Sequence, residues 1–382
     1  MKPFLYTGKS FIVGRELYYI SQAVLSGWLQ GDGSFTRKCH AWLEKNTGTR
    51  KALLTTSCTA ALEMTALLAD IQPGDEVIMP SFTFSSTANA FVLRGGIPVF
   101  VDIRPDTLNI DETLVEAAIT PKTRAIVAVH YAGYPCAMEA LCAIAQRHGL
   151  ILIEDAAQAI LTQHEGKPLG SWGDFGCLSF HESKNIIAGE GGALLINNPA
   201  YIERAEIIRE KGTNRSQFLR NETEKYTWVD LGSSYLPSEL ISAFLYAQLE
   251  NAPKIIRHRI NLARRYHDGM LSLQQAGRIT LPERNQFLHG NGHIVYFLVR
   301  EASERAPLIA YLRQQGIGAA FHYIPLHSAP AGQRFGRASG SLGVTDDISE
   351  RLVRLPIFYE MTAGDVDRVL TSLQAFFKSN PA

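Results

Sequence analysis

The fold is decided by residues 150–158, LILIEDAAQ, an apolar run that ends in two carboxylates. An apolar run without alternating polar residues is typical of a strand that is covered on both faces. We predict seven such strands between residues 51 and 197: Ala52–Thr55, Glu76–Pro80, Pro98–Val101, Ala125–His130, Leu150–Glu154, Cys177–Phe180 and Ala193–Asn197. Stretches of helical length separate several of them, namely Thr59–Asp70, Asp111–Ile119 and Ala137–His148. This alternation predicts an α/β fold with a mostly parallel seven-stranded sheet flanked by helices.

After residue 197 the pattern changes to longer helices and fewer strands. A polar and aromatic segment, Asn214–Ser234, interrupts it. We predict helices at Ala200–Lys211, Pro237–Glu250, Pro253–Gln275, Ala306–Gln315 and Ala363–Lys378, and strands at Ile294–Val299 and Ala319–Tyr323. We therefore expect a large α/β domain at residues 1–250 and a smaller C-terminal α+β domain at residues 251–382.

The composition excludes several classes of protein. The 382 residues include 37 Lys and Arg against 37 Asp and Glu, so the net charge is zero and we expect no binding to nucleic acid or to anionic membranes. Met1–Ser10 has no apolar core of a secretory signal, and no apolar run is long enough to span a bilayer. The five cysteines are scattered without a CxxC pair, so we expect no disulfide framework, no metal site and a cytoplasmic location.

Two groups of polar residues follow predicted strands, where open α/β sheets bind their ligands. Ser57-Cys58-Thr59 stands at the start of a helix, whose free N–H groups favour an anion, although Ser57 or Thr59 could simply cap that helix. Asp155 and Gln158 follow the apolar run of residues 150–154. A carboxylate that leaves a buried strand needs a partner, either the protonated ring nitrogen of a cofactor or an arginine.

A lysine occupies a comparable position after another strand. Ser179 is followed by Lys184 and by a glycine-rich turn at residues 189–192, GEGG. A lysine can form a Schiff base with an aldehyde once burial or nearby charge makes its amine neutral, but most lysines are exposed on loops. Phe84, after an earlier strand, could stack on a planar ring or belong to the core.

The combination of these features is more informative than any one of them. Pyridoxal phosphate needs a cradle for its phosphate, an aromatic residue against its ring, an acid at its pyridine nitrogen and a lysine for its aldehyde. All four are present, whereas the sequence has no GxGxxG, GxxxxGK[ST], GxSxG or HExxH motif. The sequence therefore predicts a pyridoxal phosphate site.

The same segments resemble a known family of enzymes. The relevant stretches are Ser179–Gly192, Pro80–Asn89, Val129–Gly133, Asp155–Gln158 and His322–His327. In these stretches, and over nearly the whole chain, the sequence resembles the DegT/DnrJ/EryC1/StrS sugar aminotransferases. The resemblance implies a fold-type I transferase that depends on pyridoxal 5′-phosphate.

The resemblance also implies a role for each matching residue. Lys184 would carry the cofactor and move a proton, and Asp155 would pair with the pyridine nitrogen. Other implied contacts to the cofactor are Gln158 near the phenolic oxygen, Phe84 on the ring face, and Ser57, Cys58, Thr59 and Ser179 around the phosphate.

A homodimer with shared active sites is a further implication of the resemblance. Many relatives have Asn-Tyr-Arg where this chain has Ser234-Tyr235-Leu236, and their asparagine reaches the phosphate in the partner subunit. In this chain Ser234 either makes that contact with a shorter hydroxyl group or the contact is lost.

The implied reaction moves an amino group from L-glutamate to C4 of a 4-keto-6-deoxy nucleotide sugar. The likeness is greatest to the members that make dTDP-4-amino-4,6-dideoxygalactose for surface glycans, and it depends on four stretches: Gly31–Gly33, Ser57–Thr59, Lys211–Gln217 and Gly232–Leu236. The candidate contacts to the nucleotide sugar are Lys211, Asn214, Arg215, His322, Tyr323 and His327. A solvated loop or packing of the small domain explains these six residues equally well.

Three alternatives remain at this point. A 3-aminotransferase would have the same cofactor residues, because the pocket shape decides which ketone is accepted. A non-catalytic sensor could keep the fold without the reaction. A sugar dehydratase of the same superfamily is disfavoured, since those relatives have histidine at the position of Lys184.

Overall fold

The large sheet in the computed structural model, which describes residues 3–283 and 290–379, has eight strands. Their order is β1-β9-β8-β5-β4-β2-β3-β12. The strands are β1 (Lys51–Thr55), β2 (Glu76–Pro80), β3 (Ile97–Val101), β4 (Thr123–Val129), β5 (Ile151–Asp155), β8 (Phe175–Ser179), β9 (Gly192–Ile196) and β12 (Arg337–Ala338). All seven predicted strands are present, and the eighth, β12, is a two-residue addition from the C-terminal part of the chain. The sheet is mostly parallel, as predicted, and only β9 runs against its neighbours.

Both faces of this sheet are covered, which explains its uninterrupted apolar strands. In β4, Val127 faces one core cluster and its neighbour Ile126 faces another. The helices that cover the sheet or pack around it are Glu16–Leu25, Ser34–Thr47, Cys58–Leu68, Ser85–Val92, Glu112–Ala118, Met138–His148, Ile202–Arg209 and Arg215–Leu219. Short 3₁₀ turns lie at Tyr131–Gly133 and Pro199–Tyr201. Strands β6 (Gln163–His164) and β7 (Lys167–Pro168) form a separate two-stranded hairpin.

The long helix Glu239–Gln275 corrects one prediction. We expected two helices separated at Pro253, but the helix continues through this proline. Leu249 before the proline and Ile256 after it belong to the same core cluster, and this packing offsets the hydrogen bond that the proline cannot donate. Residue 250, the predicted domain boundary, lies inside the helix. The division at this residue stays a prediction, and the ends of the predicted domains, residues 1–2 and 380–382, lie outside the described residues.

The C-terminal part is built on a small antiparallel sheet, ordered β10-β11-β13. Its strands are β10 (Ile279–Thr280), β11 (Val295–Val299) and β13 (Leu352–Leu355), and its helices are Ala302–Gln314, Pro330–Phe335, Gly343–Arg351 and Ala363–Ser379. The predicted strand Ala319–Tyr323 is wrong. Only Ala320 forms a bridge, to Arg354, because His322 and Tyr323 turn into a cavity beside the large sheet.

The register of the sheet brings distant residues to one edge. Parallel strands place their carboxyl ends at the same edge, where β5 ends at Asp155 and β8 ends at Ser179. Since β9 is antiparallel, it begins at this edge, with Gly192 opposite both Ser179 and Thr55. The residues that follow these strand ends therefore surround one site.

Gly192 allows β9 to approach the backbone beside this edge. A Cβ atom on residue 192 would overlap the carbonyl carbon of Ser57 and the backbone nitrogen of Cys58. We expect Gly192→Ala to destabilise the protein by about 1–3 kcal/mol, because the Ser57–Cys58 backbone must move. Chemical denaturation measures this change. Gly364→Ala is the matched control, since its Cβ would meet only a threonine oxygen at 3.7 Å, and equal stability of the two variants would contradict the prediction.

Candidate active site

A cavity of about 510 Å³ lies between the large sheet and the small C-terminal sheet. Residues from both parts of the chain line it. The predicted site residues that line it are Ser57, Cys58, Thr59, Phe84, Asp155, Gln158, Ser179, Lys184, His322 and Tyr323. The structure thus brings together ten of the fifteen residues that the sequence singled out.

The start of the helix Cys58–Leu68 forms one end of the cavity. Ser57 caps this helix, since its hydroxyl accepts a hydrogen bond of 3.0 Å from the backbone N–H of Ala60. The capping explanation of Ser57 therefore holds, and it is compatible with anion binding by the remaining N–H groups. The hydroxyls of Thr59 and Ser86, which are 2.8 Å apart, also line the cavity. A helix start with hydroxyl groups around it suits a phosphate.

Cys58 contributes no charge to this helix start. Its side chain is buried, and burial raises the pKa of the thiol well above its usual value, with the Asp155 carboxylate raising it further. The thiol therefore remains protonated at neutral pH. An anion at the helix start consequently meets backbone N–H groups without a repelling thiolate.

Asp155 is a buried carboxylate at the end of β5. One oxygen accepts a hydrogen bond of 2.7 Å from the Thr87 hydroxyl, and the other accepts one of 3.2 Å from the backbone N–H of Ala157. Asp155 forms no salt bridge with any residue in the described ranges 3–283 and 290–379. A buried carboxylate in this situation favours a cationic ligand, and a protonated ring nitrogen satisfies that need.

Glu154, the neighbouring carboxylate, has a structural role. Its side chain points to the opposite face of β5 and is fully buried. Its two oxygens accept hydrogen bonds from the backbone N–H groups of Gly170, Trp172 and Gly173 and from the imidazole of His130. The alternation of the strand therefore separates two adjacent acids, and only Asp155 lines the cavity.

Lys184 lies in a closely hydrogen-bonded loop between β8 and β9. Its backbone N–H donates to the carbonyl of His181 at 2.9 Å. The backbone of Phe180 is hydrogen-bonded to the backbones of both Ala188 and Gly191. Burial lowers the pKa of the Lys184 ammonium, while the Asp155 carboxylate acts in the opposite direction. Loss of hydration thus makes the neutral, nucleophilic amine easier to form.

Gln158 is held between the two parts of the chain. Its carbonyl oxygen accepts a hydrogen bond of 2.7 Å from the backbone of Ala132, and its amide nitrogen donates to the Tyr323 hydroxyl at 3.0 Å. The ring of Tyr323 stacks on His322, with centroids 4.2 Å apart and planes inclined by 9°. Burial raises the pKa of Tyr323 to about 12, so its hydroxyl stays protonated. The predicted residues Gln158, His322 and Tyr323 thus form one connected group.

Phe84 is unusually exposed for an aromatic residue at a strand end. It is 62% exposed although it lines the cavity. A planar ligand could cover this ring, but its stacking role stays a prediction.

Five predicted residues lie outside the cavity lining: Lys211, Asn214, Arg215, Ser234 and His327. The charged groups of Lys211 and Arg215 lie 3.3 and 3.4 Å from the carboxylate of Glu210, which satisfies them within the chain. Asn214 accepts a hydrogen bond from the backbone of Thr227. His327 is 2.7 Å from the Ser81 hydroxyl and 3.3 Å from Asp346, and Ser234 forms a bridge to Glu210. Their roles in binding stay predictions.

Thr87 and Arg354 are among the residues of the site that were not assigned from the sequence. Thr87, which binds Asp155, lies within the quoted stretch Pro80–Asn89, but nothing there indicated its contact. Arg354 lines the cavity from β13, and its guanidinium donates to the imidazole of His322. A charged residue inside the apolar stretch LVRLP, residues 352–356, was an available signal.

Two features are absent from the described part of the chain. No cluster of three or more histidine, cysteine or acidic side chains within it could hold a metal ion. None of its helices combines the length and the apolar character needed to cross a bilayer.

The comparison with known proteins agrees with this geometry. The family model of the DegT/DnrJ/EryC1/StrS aminotransferases matches residues 12–374. The chain is 32% identical to the spore coat polysaccharide biosynthesis protein SpsC of Bacillus subtilis over 380 residues, 96% of each protein.

Solved structures show the same likeness. The aminotransferase TlmJ of Streptoalloteichus hindustanus is 27% identical with a TM-score of 0.90, covering 99% of this chain and 100% of that one. Spr1654 of Streptococcus pneumoniae, in its PLP form, is 25% identical with a TM-score of 0.88 and full coverage of both chains. The fold is that of a fold-type I pyridoxal phosphate transferase. By its match over most of its length, the chain belongs to the DegT/DnrJ/EryC1/StrS aminotransferase family.

Proposed function

We propose that this chain is a nucleotide-sugar aminotransferase that moves an amino group from L-glutamate to C4 of a dTDP-4-keto-6-deoxyhexose. The product would be dTDP-4-amino-4,6-dideoxygalactose, a building block of surface glycans. The observation that carries the proposal is the presence in one cavity, beside a helix start, of Lys184 and of Asp155, which has no cationic partner among the described residues. The relation to SpsC, a polysaccharide biosynthesis protein, supports a sugar substrate.

The cofactor is pyridoxal 5′-phosphate, and the described residues fit it. The helix start at Ser57–Thr59, with Ser179, would hold the phosphate, and Phe84 would cover the ring. Asp155 would pair with the pyridine nitrogen, and Gln158 would lie near the phenolic oxygen. When bound, the cofactor supplies an electron sink for the carbanion formed at the donor's α-carbon.

Lys184 and Asp155 would have different roles in the reaction. Lys184 would hold the cofactor through its aldehyde, and its amine, when free, would take the proton from the donor's α-carbon. Asp155 keeps a positive charge at the ring nitrogen, which stabilises the negative charge that develops in the transition state. In the second half of the reaction the same amine of Lys184 would deliver a proton to C4 of the sugar.

A homodimer with shared sites is part of this proposal. Several large apolar side chains are highly exposed, including Leu17 at 79%, Leu25 at 86% and Trp228 at 78%. Exposed apolar surface of this kind favours burial against a partner. Lys211, Asn214, Arg215 and Ser234 would then contribute to the partner's site, and sedimentation should show a dimer. A cytoplasmic location stays a prediction from the sequence.

A product assay tests the function directly. The purified protein is incubated with dTDP-4-keto-6-deoxyglucose and L-glutamate, and NMR determines which carbon has gained nitrogen and in which configuration. We expect nitrogen at C4 with the galacto configuration. If the protein aminates only the isomeric 3-keto sugar, it is a 3-aminotransferase and the proposal is wrong. A protein that stays colourless with added pyridoxal phosphate would indicate a non-catalytic sensor.

A further inference from the structure

His293 is a buried imidazole in the lining of the cavity that holds Lys184. It lies just before β11 of the small sheet. Its backbone N–H donates to Oδ1 of Asn291 at 3.1 Å, and its backbone carbonyl accepts from Nη2 of Arg259 at 3.0 Å. Both backbone groups of His293 are thus fixed. None of the roles given to the cofactor residues uses this imidazole.

A neighbouring amide decides which nitrogen of His293 carries the proton. Asn185 donates from Nδ2 to the backbone carbonyl of Asn291 at 3.0 Å, which turns its Oδ1 toward Nδ1 of His293, also at 3.0 Å. An amide oxygen can only accept a hydrogen bond, so Nδ1 is the protonated nitrogen. Nε2 of His293 therefore has a lone pair and no proton.

Nε2 of His293 is an uncharged acceptor without a donor among the described residues. Burial lowers the pKa of His293 well below its usual value, and the charge of Lys184 lowers it further. No hydrogen bond joins Nε2 to any residue in the ranges 3–283 and 290–379. Because Nδ1 faces Asn185, which does not line the cavity, Nε2 is the nitrogen left for a ligand there. A buried acceptor without a partner costs free energy, so this position favours a ligand that donates a hydrogen bond.

The chemistry of this acceptor excludes the anionic groups of both proposed substrates. Carboxylates and diphosphates have no proton to donate at neutral pH, so Nε2 cannot bind those groups of L-glutamate or of the nucleotide. The ammonium group of glutamate is the one that reacts with the cofactor. A hydroxyl group can donate, and a 4-keto-6-deoxyhexose that is linked to its diphosphate through C1 has hydroxyls at C2 and C3.

We propose that Nε2 of His293 accepts a hydrogen bond from the C3 hydroxyl of the sugar and so contributes to the choice of substrate. This inference rests on the proposed function, in which Lys184 acts at C4. Asn185, which fixes the imidazole, directly follows Lys184 in the chain, so the acceptor is held on the side of the reacting carbon. The hydroxyl next to that carbon is the one at C3. Asn185 is the positioning residue of this contact.

Deoxy sugars measure the contact without turnover. The pyridoxamine phosphate form of the protein cannot react with an amino sugar, so calorimetry gives the Kd of dTDP-4-amino-4,6-dideoxygalactose and of its 3-deoxy and 2-deoxy analogues. We expect the wild-type protein to bind the 3-deoxy analogue about 3- to 10-fold more weakly than the parent sugar, the range for one neutral hydrogen bond. The 2-deoxy analogue should bind as the parent sugar does. His293→Phe keeps an aromatic ring without the acceptor, and it should bind the parent sugar and the 3-deoxy analogue equally weakly.

Two further variants and a second assay serve as controls. His148→Phe changes an exposed histidine outside the cavity and should keep the preference for the C3 hydroxyl. His293→Gln offers an amide oxygen near the position of Nε2, so it should keep part of the preference, and it serves if the phenylalanine variant does not fold. Single-turnover absorbance with L-glutamate should be the same in His293→Phe and the wild type, because the donor does not use this acceptor.

Three results would overturn the inference. If His293→Phe discriminates against the 3-deoxy analogue as strongly as the wild type does, His293 does not contact the C3 hydroxyl. If the wild type instead prefers the C2 hydroxyl, the assignment to C3 is wrong. If His293→Phe also slows conversion by L-glutamate, His293 acts on Lys184 and not on the sugar. A wild-type protein that binds the amino sugar but transaminates no keto sugar would refute the proposed function, whereas the deoxy sugars would still decide the role of His293.

Discussion

Lys184→Ala should lower kcat by at least about 10⁴-fold while leaving the cofactor bound. Positioned proton transfer alone contributes about 10²- to 10⁴-fold in rate, and this variant also loses the covalent attachment. Lys184 is the only lysine among the described residues that line the cavity, so no neighbouring lysine can replace it. The helix start at Ser57–Thr59 and the Asp155 carboxylate remain to hold the cofactor non-covalently.

Borohydride reduction followed by peptide mass mapping checks the assignment independently of activity. In the wild-type protein the cofactor mass should appear on the peptide that contains Lys184, and in Lys184→Ala it should appear on none. The control is Lys122→Ala, which changes an exposed lysine distant from Lys184 in the sequence and should behave as the wild type. A label on another lysine, or near-normal turnover by Lys184→Ala, would refute the role given to this residue.

The sequence predicted the large sheet well because burial on both faces leaves a simple pattern. Strands such as Ile97–Val101 are apolar throughout, and the turn residues around them mark their ends. The errors occur where tertiary packing overrides local preference. Pro253 predicts a break, yet apolar contacts on both sides keep one helix. Ala319–Tyr323 has the composition of a strand, yet two of its residues turn into the cavity.

The site residues show the same contrast. Those near the ends of strands were predicted, whereas those whose contacts join distant segments of the chain were not. Asp155 and Lys184 could be predicted because Asp155 ends an apolar strand and Lys184 lies in the loop after another, and strand ends of a parallel sheet meet at one edge. Arg354 and Thr87 were missed, since their contacts join segments far apart in the chain. For Lys211, Arg215 and Ser234, a single chain cannot decide the role, because the resemblance assigns this region to a site shared between subunits.

Asp155→Ala should give the second large effect, a fall in kcat of about 10²- to 10³-fold. This is the usual consequence of removing one preorganised electrostatic group that acts on the transition state. Asp155 is suited to this task because two hydrogen bonds fix its oxygens and no described cation neutralises it. Thr87→Val removes one of these bonds but keeps the charge, so it should lower kcat much less than Asp155→Ala does.

A chemically altered cofactor distinguishes electrostatic support from a merely structural role. Pyridoxal phosphate methylated at its ring nitrogen carries a permanent positive charge, so it does not need an acid to maintain one. Reconstituting Asp155→Ala with this compound should recover part of the lost kcat, whereas the wild-type protein should gain nothing from it. If the variant instead loses activity because Asp155 only holds the loop at Ala157, the methylated cofactor cannot help. Recovery would therefore show that the carboxylate acts through the charge on the ring, as its burial without a cationic partner among the described residues implies.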